Sequence, residues 1–155
     1  MRQGAKSQTF GKAAAQAGHR CVCFNVRKAA RAVTQLYDEV LRPSGLRVTQ
    51  FSLLMATKGS GSVTLKRLAR AVGTDRTTLT RNLRPLEKQG LLRIEHGADR
   101  RERKVTLTAR GEKVMGEALP LWEAAQARVT HGFGGERLSQ LLTELTALTA
   151  VSRAA

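Results

Sequence analysis

Three observations predict a mainly α-helical chain carrying one small β-hairpin. Residues 64–104, TLKRLARAVGTDRTTLTRNLRPLEKQGLLRIEHGADRRERK, read as two short helices about Gly73, then two β-runs about a charged tip. Segments with leucine, valine and alanine at helical spacing flank that stretch on both sides. The excess of basic residues ends where the hairpin ends. Helix, glycine turn, helix and hairpin in that order make a winged helix-turn-helix, with N- and C-terminal helices left over to dimerise.

In chain order, residues 1–18 are basic, lack carboxylates and are interrupted by Gly4, Gly11 and Gly18, so a flexible tail is expected. Cys21 to Leu41 is a long helix with an apolar stripe of Phe24, Ala29 or Ala30, Val33, Leu36, Tyr37, Val40 and Leu41. Pro43-Ser44-Gly45 ends it. Leu46 to Lys58 is the second helix, with Thr49 as its cap and Phe51, Leu54 and Met55 on its buried side. Gly59-Ser60-Gly61 turns the chain, and Ser62-Val63 is a minimal strand able to pair with the hairpin. Leu65, Leu68, Ala69 and Val72 then give Thr64–Val72 an apolar side, and Gly73 supplies the turn.

The next helix is expected to begin near Thr74, a capping residue type, with Asp75 favourable against the dipole of the first turn. At about 100° per residue, Leu79, Leu83 and Leu86 share one narrow sector that must face a core. Thr77, Arg81, Arg84 and Lys88 lie opposite, with Thr80 at the edge and Thr74, Arg76 and Thr78 in the first turn. Hydroxyls and guanidinium groups without a carboxylate among them suit a phosphate-lined groove and base edges, the surface of a recognition helix. Pro85 removes one hydrogen bond, so a kink is expected there; the leucine spacing continues past it to Leu86. Leu91–Glu95 and Arg103–Leu107 are the strands of the wing. Its tip, His96 to Glu102, and the adjoining Arg103 bring Arg100, Arg101 and Arg103 within reach of a minor groove.

Beyond the wing, a long helix starts at Thr108–Gly111 and runs to about His131, with Val114, Leu119, Leu121, Trp122, Ala125 and Val129 apolar and Pro120 bending it. Gly132 to Gly135 breaks it. The last helix, about Glu136 to Val151, repeats Leu138, Leu141, Leu142, Leu145 and Leu148 at i, i+3, i+4, i+7 and i+10, a stripe suited to a partner subunit or to the first helix. Residues 19–155 are therefore read as one domain. A DNA-binding lobe over 46–108 lies between dimerisation helices in 19–45 and 109–155.

The net charge of +15 is unevenly spread. Residues 1–47 carry nine Lys/Arg against Asp38 and Glu39, 48–104 carry thirteen against five, and 105–155 carry five against five. That field fits a polyanion bound with strong salt dependence. With only 4% aromatic residues there is no stacking surface for single-stranded bases, which favours double-stranded DNA over RNA. No apolar run approaches the roughly 20 residues of a membrane span, and the first twenty lack a secretory apolar block, so a cytoplasmic protein is expected.

With these elements in order, the chain resembles the MarR family of winged-helix regulators from about Cys23 to the C-terminus. The residues carrying the resemblance are GLRVTQFSLL (Gly45–Leu54), LARAVGTDRTTLTRNLRPLEKQGLL (Leu68–Leu92) and DRRERKVTLTARG (Asp99–Gly111). It implies a homodimer on a palindromic operator, usually a repressor released by a small ligand or by oxidation. By the same resemblance Asp99 orients the wing arginine, Arg101 is that arginine, and Thr77, Thr78 and Arg81 read bases. A ligand pocket would lie near Tyr37, Phe51, Met55 and Trp122, a lining suited to an aromatic or lipophilic acid or to simple packing.

CVCFNVRKAARAVTQLYD is similar to the first helix of the organic-hydroperoxide-sensing branch, where a cysteine precedes phenylalanine near the helix start, as Cys23 precedes Phe24. Tyr37 fits the second thiolate-binding tyrosine of that branch, whereas Arg27 stands at the first and Val48 replaces a third. A cysteine in a first helical turn beside Arg20 and Arg27 favours thiolate, which with access is what oxidation needs. On one continuous helix Cys21 and Cys23 would point about 200° apart, so an intersubunit disulfide is the expected oxidised product. The alternative is that both are small packing residues. His19, Cys21 and Cys23 offer soft ligands, but no other cysteine or histidine is close in sequence; no metal or cofactor is assigned. Two further functions remain open on the residues alone. One is a thiol peroxidase-like enzyme, disfavoured because no catalytic motif is present; the other is a sequence-indifferent architectural DNA binder.

Overall fold

A computed structural model describes residues 16–59, 61–97 and 102–154. It divides into two compact units, Met1–Leu36 and Tyr37–Ala155. The helices are α1 (Val22–Leu41), α2 (Val48–Lys58), α3 (Leu65–Val72), α4 (Arg76–Lys88), α5 (Ala109–Phe133) and α6 (Gly135–Ala154), with a short 3-10 turn at Arg42–Ser44. The strands are β1 (Ser62–Thr64), β2 (Leu92–His96) and β3 (Arg103–Leu107). The mainly helical winged architecture expected from the sequence is present. A short helical stretch at 16–20 precedes α1.

The three strands form one antiparallel sheet in the order β1-β3-β2. Val63 and Ile94 both pair with Val105, and His96 pairs with Arg103. Ser62-Val63 does pair with the wing, as its β-branched residue and the turn before it suggest. The first wing strand lies one residue later than the sequence implies, because Leu91 is used to close the preceding helix: its N–H donates to Leu86 O at 2.9 Å after left-handed Gly90.

The core of the second unit gathers Leu41, Leu46, Phe51, Leu54, Leu68, Leu79, Leu83, Leu86, Leu92 and Val105. On α2, Leu53 and Thr57 are buried alongside Phe51 and Leu54, while Met55, expected inside, is 40% exposed. The reason is that α2 packs against α3, α4, α5, β1 and β3, so its buried sector is wide and displaced from the one the spacing implies. Thr57 satisfies its hydroxyl by donating to Leu53 O at 2.8 Å. Nor does Thr49 cap α2. Gln50 Oε1 accepts the Arg47 N–H at 2.9 Å, and Asp38 Oδ1, from the end of α1, accepts the Val48 N–H at 2.7 Å.

Helix α5 passes through Pro120 and reaches Phe133 before Gly134 ends it; Ala118 and Ala125 are its buried side chains, and Leu119 is exposed. Lys58 Nζ meets Glu112 Oε1 at 2.7 Å, joining α2 to the first turn of α5. At the same turn Gly111 lies against the Leu91 carbonyl. Of the stripe expected on α1, Tyr37 and Leu41 are buried, whereas Phe24 and Val33 are exposed. On α6, Leu141, Leu142, Leu145 and Leu148 are all exposed.

Candidate nucleic-acid interface

Helix α3 begins with Thr64 as its cap, the hydroxyl accepting from Arg67 N, and ends at left-handed Gly73. The Thr74 N–H donates back to Ala69 O at 3.0 Å, so Thr74 belongs to the turn and, contrary to the sequence expectation, does not cap the next helix. Asp75 takes that role: its Oδ1 accepts the Thr78 N–H at 2.8 Å. Hydrogen bonding from Thr78 holds the Asp75 carboxyl below its ordinary value.

From there α4 runs without a break through Pro85 to Lys88. Leu79, Leu83 and Leu86 are fully buried, fixing the rotation of the helix about its axis. Arg76, Thr77, Arg81, Arg84 and Lys88 are therefore exposed, with Thr78 and Thr80 half-buried. Arg76, Thr77, Thr80, Arg81 and Arg84 line one open groove of about 400 Å³. Thr80 donates its hydroxyl to Arg76 O at 2.8 Å, leaving the oxygen as an acceptor. Lys88 stands in the last turn, beyond that groove. Arg103 is exposed on β3. Asp99, Arg100 and Arg101, assigned to the wing tip, lie outside the described residues.

Three exposed cations on α3, Lys66, Arg67 and Arg70, do not stand out from the sequence pattern alone. A signal is nonetheless there: residues 64–74 contain no carboxylate.

Cys21 and Cys23 are both exposed free thiols. Cys21 is not helical but sits in a break between residues 16–20 and α1, where its Sγ accepts the Phe24 N–H at 3.4 Å. The two cysteines thus do not share one continuous helix, and the 200° separation expected from such a helix does not apply. Asn25 Nδ2 steadies the break by donating to Cys21 O at 2.9 Å and His19 O at 3.0 Å. Arg27 is exposed on α1. Tyr37 is buried, its hydroxyl donates to Gln126 Oε1, and burial raises its phenol above the ordinary value. Phe51 and Trp122 stack with ring centroids 6.1 Å apart, and Phe51 is a core residue at 1% exposure. Among the described residues no three His, Cys, Asp or Glu side chains come together as a metal site, and no helix is long and apolar enough to cross a membrane.

The chain is 40% identical to the Mycobacterium tuberculosis transcriptional regulator MosR, solved in complex with DNA. That match has a TM-score of 0.81 and covers 87% of this chain and 98% of the other. A family model described as MarR family matches residues 44–102. The HTH-type transcriptional regulator YwoH of Bacillus subtilis is 30% identical over 95 residues, 61% of this chain and 69% of the relative. This chain belongs to the MarR family. Its members are transcriptional regulators and not enzymes, which removes the thiol-peroxidase alternative. The fold likeness extends to a mutant form of Escherichia coli MarR complexed with operator DNA, at 19% identity and a TM-score of 0.76 over 85% of this chain and 96% of that one. In this MarR-family chain the family match spans the helix-turn-helix and the start of the wing, the segment that holds the Thr/Arg groove.

Proposed function

We propose that the protein is a sequence-specific DNA-binding repressor that acts as a homodimer on a palindromic operator. The observation that carries this reading is the face of α4: buried leucines on one side and Thr77, Thr80, Arg81 and Arg84 lining an open groove on the other. Arginine and threonine can donate to base edges and phosphates there, and no carboxylate in the groove opposes them. By the family resemblance Thr77, Thr78 and Arg81 read bases and Asp99 orients the wing arginine, Arg101; by charge and position the wing reaches a minor groove, and Arg100, Arg103 and Lys88 add to the field. The DNA solved with MosR supports the same partner here. Residues 46–108 serve as the DNA-binding lobe.

The homodimer is supported by two exposed surfaces: the leucines of α6, and a depression of about 570 Å³ on α5 lined by Ala124, Ala127, Arg128, His131 and Gly132, whose small residues admit a close helix. Two-fold pairing would set two recognition helices on successive major grooves.

The test uses a duplex selected from a random pool by the wild-type protein, and a scrambled counterpart. Arg81→Ala is expected to cost about 1–3 kcal/mol of binding on the selected duplex and much less on the scrambled one, while Lys88→Ala weakens both alike. Equal losses in both variants would count against base reading by α4. Equal wild-type affinity for the two duplexes would instead favour a sequence-indifferent binder.

For release, the exposed thiols favour an oxidant such as an organic hydroperoxide over an aromatic or lipophilic effector, because the Phe51–Trp122 stack is filled by its own side chains. Two thiols would lose two hydrogens to form an intersubunit disulfide, and the hydroperoxide would leave as alcohol and water. Mild oxidation is expected to abolish binding by the wild type, reversibly with thiol, and to spare a Cys23→Ser variant. Loss in both would place the sensing elsewhere.

A further inference from the structure

The first unit carries a second basic surface. Residues 1–36 contain seven Lys/Arg and no Asp/Glu. On α1, at about 100° per residue, Arg27, Lys28 and Arg31 fall within a sector of about 100°. All three are exposed, as is Arg20 before the helix. The ion pairs among the described residues, Arg47–Asp38, Lys58–Glu112 and Arg93–Glu95, involve none of them.

The opposite side of α1 is apolar. Val22, Val26, Ala29, Val33 and Leu36 centre roughly 170° from the cations at the same helical spacing, and Val22, Val26 and Val33 are 57%, 38% and 46% exposed. A covering partner gains from the valine side and loses by desolvating guanidinium and ammonium groups, so it takes the former. The cations then still face solvent. Three long cations on a stretch of α1 that carries no carboxylate before Asp38 are matched to a polyanion.

From this arrangement we infer that the cationic side of α1 is a second DNA contact, gripping backbone phosphates without reading sequence itself. The inference rests on the DNA-binding reading above. It places part of the affinity, but none of the discrimination, on the first helix.

The experiment compares the full-length wild type with R27Q/K28Q/R31Q on the selected and scrambled duplexes over a series of salt concentrations. Glutamine keeps the helix propensity of lysine and arginine, and circular dichroism checks the fold. The slope of log affinity against log salt is expected to fall by about 0.9 for each phosphate that is no longer neutralised. Both duplexes should lose affinity by the same factor, leaving their ratio unchanged. An unchanged slope, or a loss confined to the selected duplex, would overturn the inference. Should the triple variant misfold, Arg31→Gln alone is read in the same way, with a fall of about 0.9 for its one phosphate on each subunit. If the wild type itself fails to prefer the selected duplex, the repressor reading has failed; if it does prefer it and the variant keeps the slope, this inference alone has failed. Loss of binding to phosphatidylserine vesicles with an intact DNA slope would reassign the surface to membranes.

Discussion

Gly111→Ala is expected to destabilise the protein by roughly 3 kcal/mol, at the upper end of what overpacking costs. A Cβ at this position would lie 1.9 Å from Leu91 O and 2.8 Å from Leu91 C. Both are backbone atoms, so no side chain can swing aside. Nor can the Leu91 peptide retreat freely. Its N–H donates to Leu86 O at the end of α4, its carbonyl accepts the Thr108 N–H at 3.2 Å, and the Thr108 hydroxyl donates to Gly90 O at 2.6 Å. This knot joins the end of α4, the start of the wing and the first turn of α5. Displacing it should therefore disturb DNA affinity as well as stability. Gly116→Ala on the same helix is the control: nothing lies within 4 Å of its Cβ, and removing glycine from a helix interior should stabilise by about 0.5–1 kcal/mol. Urea unfolding of both variants decides the matter, and similar effects from the two would mean that α5 does not approach Leu91 as described.

Phe51→Ala is expected to cost about 3–5 kcal/mol, the range for deleting a large buried aromatic side chain. A protein of ordinary stability, about 5–15 kcal/mol, would keep little reserve. Phe51 is 1% exposed among the core leucines and stacks on Trp122 at an interplanar angle of 26°. The pair adds geometric preference to the area buried. Met55→Ala, by contrast, should cost well under 1 kcal/mol in the protomer because Met55 is 40% exposed. Trp122 fluorescence supplies the readout, since losing the stacked ring should alter its emission while Met55→Ala leaves it unchanged. A Phe51→Ala variant with an unaltered melting temperature and an altered response to an aromatic acid would make Phe51 a pocket wall after all.

Much of the proposed DNA-facing site is legible in the chain. The spacing of Leu79, Leu83 and Leu86 sets which side of α4 is buried, and that in turn exposes Thr77, Arg81, Arg84 and Lys88. Glycine and the β-branched runs mark the turn and the sheet because they act on the backbone locally. Pattern misleads over caps. Thr74 looks like one, yet its neighbour Asp75 serves α4; Thr49 looks like another, yet Gln50 and, from the end of α1, Asp38 serve α2. Spacing alone puts Met55 inside and passes over Thr57, because the buried width of α2 depends on five neighbours rather than on its own pattern.

Read alone, the chain dictates the class of fold, the extent of α4, the side of it that is buried and the basic field around it. Those follow from periodicity, propensity and charge, which each residue carries wherever the chain goes. Packing alone settles that Asp38 closes the start of α2 and that position 111 admits no side chain. Those depend on hydrogen bonds and van der Waals contacts of a few ångströms, several of them between segments far apart in the chain, and such distances exist only once the elements have packed.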